Sequence, residues 1–253
     1  MIDLSNKTIL VIGGIHDLAL GVAQTLQSAG AEIILAVHQD QLVAPQLHAR
    51  VQPVTLHDPI QLSQQIQAMG KLDGAILSPS WFNFNSFLDT TAADWDTALA
   101  QNFENMTYAA QAIARHLIAQ GKGGRLIFLS SVASIMPLVE TSIVGTSLTA
   151  LWALAKMAAV DLGPHGITVN VVAGGWIEAE WTKPYLHPTG RSYIQEGIPL
   201  GRIGIPQDIG NLCCFLVSDL AAYITGAIIP VDGGYLLTPA EQGHSPYPEK
   251  IDV

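Results

Sequence analysis

Seven short runs rich in β-branched and aliphatic residues punctuate the chain, at Thr8–Ile12, Glu32–Val37, Val51–Val54, Leu72–Leu77, Arg125–Leu129, Ile167–Val171 and Ala227–Val231. Stretches of helical character separate them. A strand followed by a helix leaves the sheet and returns to it in the same direction, so the alternation predicts a parallel sheet with helices on both faces. Most of the runs are apolar throughout, as strands covered on both sides need to be. The helix punctuation agrees. Asp17 stands before Leu18–Ser28 with Gly30 after it, Thr91 or Asp94 before Trp95–Gln120 with Gly121 after it, and Pro206 ahead of Gln207–Val217. No internal repeat, low-complexity tract or linker interrupts the pattern. The expected fold is α/β, a doubly wound, Rossmann-type parallel sheet of about seven strands. It forms one domain over residues 1–253, of which Pro239–Val253 reads as a tail.

Composition sets the outer limits. Of the 253 residues, 49% are hydrophobic and 13% charged, with a mean hydropathy of +0.33, which supports a large core and excludes a disordered chain or a coiled coil. Eleven Lys and Arg against 21 Asp and Glu leave a net charge of −10, so nucleic acid is not an expected partner. No apolar run approaches the roughly 20 residues of a membrane span. Met1-Ile2-Asp3 lacks the basic opening of a signal peptide, and the expectation is a cytoplasmic protein without membrane contact. Cys213 and Cys214 are adjacent and read as small buried apolar residues. A helix from Ser142 to Leu162 is apolar almost all round, through Leu148, Leu151, Trp152, Leu154 and Ala155. Such a helix needs cover on several sides, and a homo-oligomer, dimer or tetramer, is expected to supply it.

The C-terminal half carries a set of specific segments: Gly166-Ile167-Thr168-Val169-Asn170, Ile198-Pro199-Leu200-Gly201-Arg202, Asp208-Ile209, Phe215–Asp219, Tyr223–Gly226 and Val231–Gly234. Together they resemble the short-chain dehydrogenase/reductase family, over roughly Leu4 to Leu237. The resemblance implies the doubly wound fold, the cofactor NAD(P), and a site built from a Ser, an Asn and a Tyr-x-x-x-Lys pair. It places the Ser at Ser131 in Leu129-Ser130-Ser131 and the Asn at Asn102. The Tyr belongs thirteen residues after the Ser, which here is Val144, and the Lys position is Leu148. None of Tyr108, Tyr185, Tyr193, Tyr223, Tyr235 and Tyr247 has Lys four residues later. Neither Val nor Leu can hand a proton to a carbonyl, help that usually contributes about 10²–10⁴-fold.

The same resemblance puts cofactor contacts at Gly13, Gly14, Asp17, Leu18, Thr55 and Ile177. Several depart from the family pattern. Asp17 and Ala19 stand in place of the second and third glycines of the phosphate turn. Asp17, read as a helix N-cap, would satisfy the amides that otherwise hold phosphates and repel the phosphates by charge. Thr55 replaces an Asp, Leu77-Ser78-Pro79-Ser80 replaces Asn-Asn-Ala-Gly, and Ala179 replaces a Thr.

Ligands of a doubly wound sheet bind outside the carboxyl ends of its strands. There the chain offers an aromatic pocket for a small apolar ligand, lined by Trp81, Ser131, Val144, Gly175, Trp176, Trp181 and Tyr185. Glu140 or Glu180 can serve as a base if burial raises its pKa, and is otherwise a solvated loop charge. Pro184–Thr189 is similar to a loop of the cofactor-free haloalcohol dehalogenases, which keep Tyr and Arg where this chain has Val144 and Leu148. His16, His38 and His57 each follow one of the first three strands, with Asp17, Asp40 and Asp58 close behind. A metal or anion site there is a weaker alternative; no compact ligand spacing is present and no metal is expected. The substitutions together point to a non-redox reaction such as cyclisation, isomerisation or elimination, or to a non-catalytic subunit. The alternative is an NAD(P)(H)-dependent oxidoreductase in which Ser131 and Asn102 polarise a carbonyl and a water replaces the tyrosine.

Overall fold

β1 (Thr8–Gly13) is buried at every one of its six residues, which places it in the middle of a sheet covered on both faces. A computed structural model describes residues 2–13, 16–38 and 47–238. Around β1 lie β2 (Glu32–His38), β3 (Arg50–Val54), β4 (Gly74–Ser78), β5 (Gly124–Ser131), β6 (Ile167–Gly174) and β7 (Ile228–Val231). The sheet has seven strands in the order β3-β2-β1-β4-β5-β6-β7, and every pairing is parallel. Strand order reverses between β1 and β4, with Val11 opposite Leu35 on one side and Ile76 on the other.

Side chains alternate across the strands, and two apolar layers result. Leu10, Ile12, Ile34 and Phe128 pack under α2 (Pro59–Gln67), α4 (Asn105–Gln120) and α5 (Ser142–Leu162). Ile9, Val11, Ile33 and Ile127 pack under α1 (Asp17–Ser28) and α7 (Pro206–Val217). Cys213 and Cys214 belong to the second layer. Burial raises both thiols, Cys214 to about 11, so they remain protonated and inert.

Five strands extend one to three residues beyond the apolar runs, whereas β4 starts two residues later than expected and β7 one residue later. β5 and β6 pair continuously from Gly124 with Ile167 to Ser131 with Gly174, because the ladder is made by backbone N–H and C=O groups, which Ser, Ala and Gly also supply. Ser131 is thereby the last residue of a central strand. The long helix expected at 95–120 begins earlier and is interrupted. α3 (Ala92–Ala98) starts at a capping box between Thr91 and Asp94, a π-helical turn follows at Leu99–Glu104, and α4 ends at Gly121 in the left-handed conformation. A short turn at Glu180–Tyr185 and α6 (Pro188–Glu196) fill the stretch after β6, where no helix was expected. The tail after Thr238 lies outside the described residues.

α5 corrects one expectation. Among the described residues, Ser142–His165 is a helix long and apolar enough to cross a membrane by length and composition. Its Ile143, Val144, Leu148, Leu151 and Ala155 are buried in the layer under β1 and β5, which is the packing of a core helix.

α1 and α7 touch through a glycine. A Cβ on Gly21 would sit 2.2 Å from Cβ of Pro206, so only glycine permits this separation. Gly21→Ala is expected to destabilise the fold by about 1–3 kcal/mol, read from the denaturant midpoint at unchanged m-value. An unchanged midpoint contradicts the close approach.

Candidate active site

The crevice outside the carboxyl ends of β1 and β4 is where a doubly wound sheet receives ligands. A cavity of about 80 Å³ opens there. His16 and Leu18 follow β1, Ser78, Pro79, Phe82 and Phe84 end or follow β4, and Leu129 to Ala133 end or follow β5. Val144 of α5, Gly174–Ile177 at the end of β6, and Trp181, Thr182 and Tyr185 complete the wall. Thr182 fastens its turn. Its Oγ1 lies 2.8 Å from the Ile177 carbonyl and accepts from the Ala179 amide at 3.0 Å.

Two aromatic contacts close the top. Trp181 stacks on Phe82 with centroids 4.6 Å apart and planes 11° from parallel. The His16 ring meets Trp181 edge-on at 4.6 Å. Tyr185 holds the opposite corner, edge-on to Phe84 at 5.6 Å and beside Trp176 at 6.1 Å. Glu140 is half-buried and has a left-handed backbone, φ 62°, a conformation that costs a non-glycine residue and recurs near binding sites. Burial and the Glu140 carboxylate together raise the Tyr185 pKa.

His16 Nε2 lies 3.0 Å from the Pro79 carbonyl and 3.2 Å from Ser78 Oγ. A carbonyl only accepts, so Nε2 carries the proton and Nδ1 is a lone pair. Nδ1 is buried without a partner. Desolvation lowers the imidazole pKa, against smaller opposing effects of the Pro79 contact and Asp17.

Ser131 Oγ accepts from the Ala133 amide at 3.2 Å, which leaves its own O–H to donate into the cavity. Next to it, Trp152 Nε1 donates to Ser130 Oγ at 2.7 Å and ties the end of β5 to α5. Asn102 serves differently. The π-helical turn carries it inward until it is fully buried. There its amide donates to the Trp81 carbonyl at 2.8 Å and Ser147 Oγ at 3.2 Å, and its oxygen accepts from the Trp81 amide at 3.0 Å. Its polar atoms are thus committed to the chain after β4.

Of the expected pocket residues, Ser131, Val144, Gly175, Trp176, Trp181 and Tyr185 line the cavity, as do Leu18 and Ile177 from the expected cofactor set. Trp81 does not. It packs against the core layer of α4 and α5, held by Asn102. Leu148 is fully buried behind Val144. Glu140 lies off the cavity wall, and Glu180 is exposed in an ion pair with Lys183. Thr55 is occupied with Gln65, through its amide to Oε1 at 3.0 Å. Gly14 lies outside the described residues.

Asp17 is not a helix cap. The N-cap is His16, no side chain caps α1, and Asp17 is the first helical residue and exposed. As the first helical residue, Asp17 is one position beyond the N-cap, from which a side chain accepts from the first-turn amides. Among the described residues, neither the His16-Asp17 nor the His57-Asp58 pair joins a group that could hold a metal. Asp58 caps α2, His16 turns into the cavity, and Asp40 and the His38 side chain lie outside the described residues. Sequence reasoning missed that the His16 ring turns into the roof; the only signal was a bulky His inside a phosphate turn.

A family model described as Enoyl-(Acyl carrier protein) reductase matches residues 14–236. The chain belongs to the short-chain dehydrogenase/reductase family. It is 29% identical to an L-rhamnose 1-dehydrogenase (NAD(P)(+)) of Sphingomonas sp. (strain SKA58), covering 91% of this chain and 96% of that one. It is also 29% identical to an L-xylulose reductase of Bos taurus, covering 93% and 98%. A solved short-chain type dehydrogenase/reductase from Mycobacterium marinum superposes with a TM-score of 0.83 at 30% identity, covering 92% and 97%. Relatives matched over nearly their whole length are thus named as dehydrogenases and reductases. That overturns the expectation of a non-redox enzyme or a non-catalytic subunit. One physical ground of that expectation also fails, since Asp17 does not cap α1.

NMR titration of His16 is expected to give a pKa below the ordinary 6.5. The unfolded chain then takes up the proton first as pH falls. Stability is full above about pH 6.5 and declines as pH drops through the lower folded value. His16→Gln removes that slope. A titration above 6.5, or an unchanged acid limb in the variant, contradicts the buried neutral ring.

Proposed function

We propose that this member of the family is an NAD(P)(H)-dependent oxidoreductase that reduces a small apolar carbonyl compound, using a proton donor other than the tyrosine its relatives place at position 144. What carries the reading is the match over residues 14–236 to a family whose full-length relatives bear dehydrogenase and reductase names. The mainly apolar wall around Ser131 supports the substrate class.

The fit of a nicotinamide dinucleotide is tested at the end of β1. No side chain caps α1, so its first-turn amides remain available to a pyrophosphate. The buried Nδ1 of His16 is an acceptor without a donor, which suits a ribose hydroxyl. Leu18, Gly175 and Ile177 line the cavity beside Ser131. These residues fit the group, with the exposed Asp17 carboxylate weakening affinity for phosphates rather than filling their place. When bound, the cofactor supplies the hydride.

The chain's own residues do the rest. About 80 Å³ is far below the roughly 300–1,000 Å³ of a typical ligand site, so the Trp181 ring swings off Phe82 to admit ligands. Ser131 O–H donates to the carbonyl oxygen. Tyr185, on the cavity wall and held as a phenol by burial and by Glu140, gives that oxygen its proton. Leu148, fully buried where the relatives' Lys would stand, supplies no charge to favour a phenolate, so Tyr185 keeps its proton until the carbonyl oxygen takes it. Phe82, Phe84, Trp176 and Trp181 exclude water.

The reading includes a homo-oligomer. Met157 and Val160 on α5 are 63% and 74% exposed, an apolar face that a second copy covers. Val160→Glu is expected to shift the size-exclusion profile to monomer.

Titration with NADPH and NADH tests the main claim. Micromolar binding with quenched tryptophan fluorescence is expected, and Trp181→Phe removes much of the quench while binding persists. Tyr185→Phe is expected to lower kcat for reduction by about 10²–10⁴-fold at unchanged cofactor affinity. No binding at millimolar cofactor overturns the reading.

A further inference from the structure

The amino ends of β1, β4 and β5 form a second cavity, of about 400 Å³, on the sheet edge opposite the active site. Four of the chain's eleven basic residues line it: Lys7, Lys71, Lys122 and Arg125. Only two carboxylates, Asp73 and Asp219, accompany them. A local excess of two positive charges in a chain of net charge −10 is not a matter of average composition.

The carboxylates leave the cations incompletely satisfied. Asp219 Oδ1 is shared between Lys7 at 2.8 Å and Arg125 at 3.5 Å, and Asp219 is itself 80% exposed. Asp73 pairs with Lys71 at 3.0 Å while also accepting from the Thr8 amide at 2.8 Å. Lys122 is exposed and has no ion pair among the described residues. The Arg125 side chain is only 12% exposed. One of its terminal nitrogens donates to the Gly124 carbonyl at 3.0 Å, and its Nε is buried with no acceptor at all. A buried guanidinium nitrogen without an acceptor is unusual, because burying an unmatched charged donor is costly.

We propose that this cavity binds a dianionic phosphoryl group, as inorganic phosphate or on a small organic phosphate. Three acceptor oxygens and a charge near −2 suit the Arg125 guanidinium in the wall and two flexible lysines on the rim. Lys71 and Lys122 come from the chain before β4 and before β5, so one anion would bridge two strand entries. The site is separate from the crevice after β1 and β4 and does not depend on the redox reading.

Calorimetric titration of the whole chain with inorganic phosphate, against chloride at equal ionic strength, tests it. Saturable phosphate binding in the millimolar range or tighter is expected, with amide shifts at Gly123 and Gly124 in a heteronuclear NMR spectrum. The double variant Lys71→Gln/Lys122→Gln alters exposed side chains and is expected to weaken binding at least about tenfold, the equivalent of one charge-assisted contact. Ribose 5-phosphate titrated in parallel separates the sources: equal affinity assigns the free ion, tighter binding an organic phosphate. No saturable binding, undiminished binding in the folded double variant, or shifts confined to the start of α1 overturns the proposal.

Discussion

Where β1 ends, its backbone passes so close to β4 that no side chain fits between them. A Cβ on Gly13 would lie 2.1 Å from the Ser78 carbonyl oxygen, and Gly13 has φ 112°, a region that L side chains rarely enter. β1 pairs with β2 on one side and β4 on the other, and this is the point where successive crossovers part to opposite directions. The separation of the two chain ends here creates the crevice. It sets the direction in which His16 leaves β1 and Phe82 leaves β4, and it brings the last residue of β5, Ser131, to the same edge.

From that constraint the site follows as a matter of what fills the opening. His16 enters it under the hydrogen bond to Pro79, and Trp181 covers it by stacking on Phe82. An aromatic pair of this kind is worth about 0.5–1.5 kcal/mol beyond its buried area, enough to favour a closed roof and small enough for a ligand to open it. The polar groups beneath are few. Ser131 offers a hydroxyl, His16 a lone pair, and Tyr185 a phenol. Asn102, by contrast, is spent on shaping the chain after β4.

The fold was legible because β-branched runs and helix stops are local signals. The seven strands and the 142–162 helix stand where those signals put them. The roof was not legible. Periodicity says nothing about the direction in which His16 turns, and Trp181 meets Phe82 across 99 residues of sequence, a contact that depends on the finished sheet. Asp17 shows the opposite error. As a sequence it looks like a cap, but one residue of register places it inside the first turn. The inference of lost redox chemistry drew on that register and on two substitutions at 144 and 148. Likeness over the whole chain to named dehydrogenases and reductases outweighs them.

Hydride delivery to a carbonyl carbon is the claim on which the functional reading turns. Incubation of the purified chain with a panel of small apolar ketones and aldehydes and with NADPH carrying deuterium at C4 of the nicotinamide, followed by mass spectrometry of the alcohol products, measures it directly. The expected result is one deuterium on the carbinol carbon, from a single face of the nicotinamide. Alcohol formed without the label, or no alcohol from a protein shown to bind the cofactor, contradicts it.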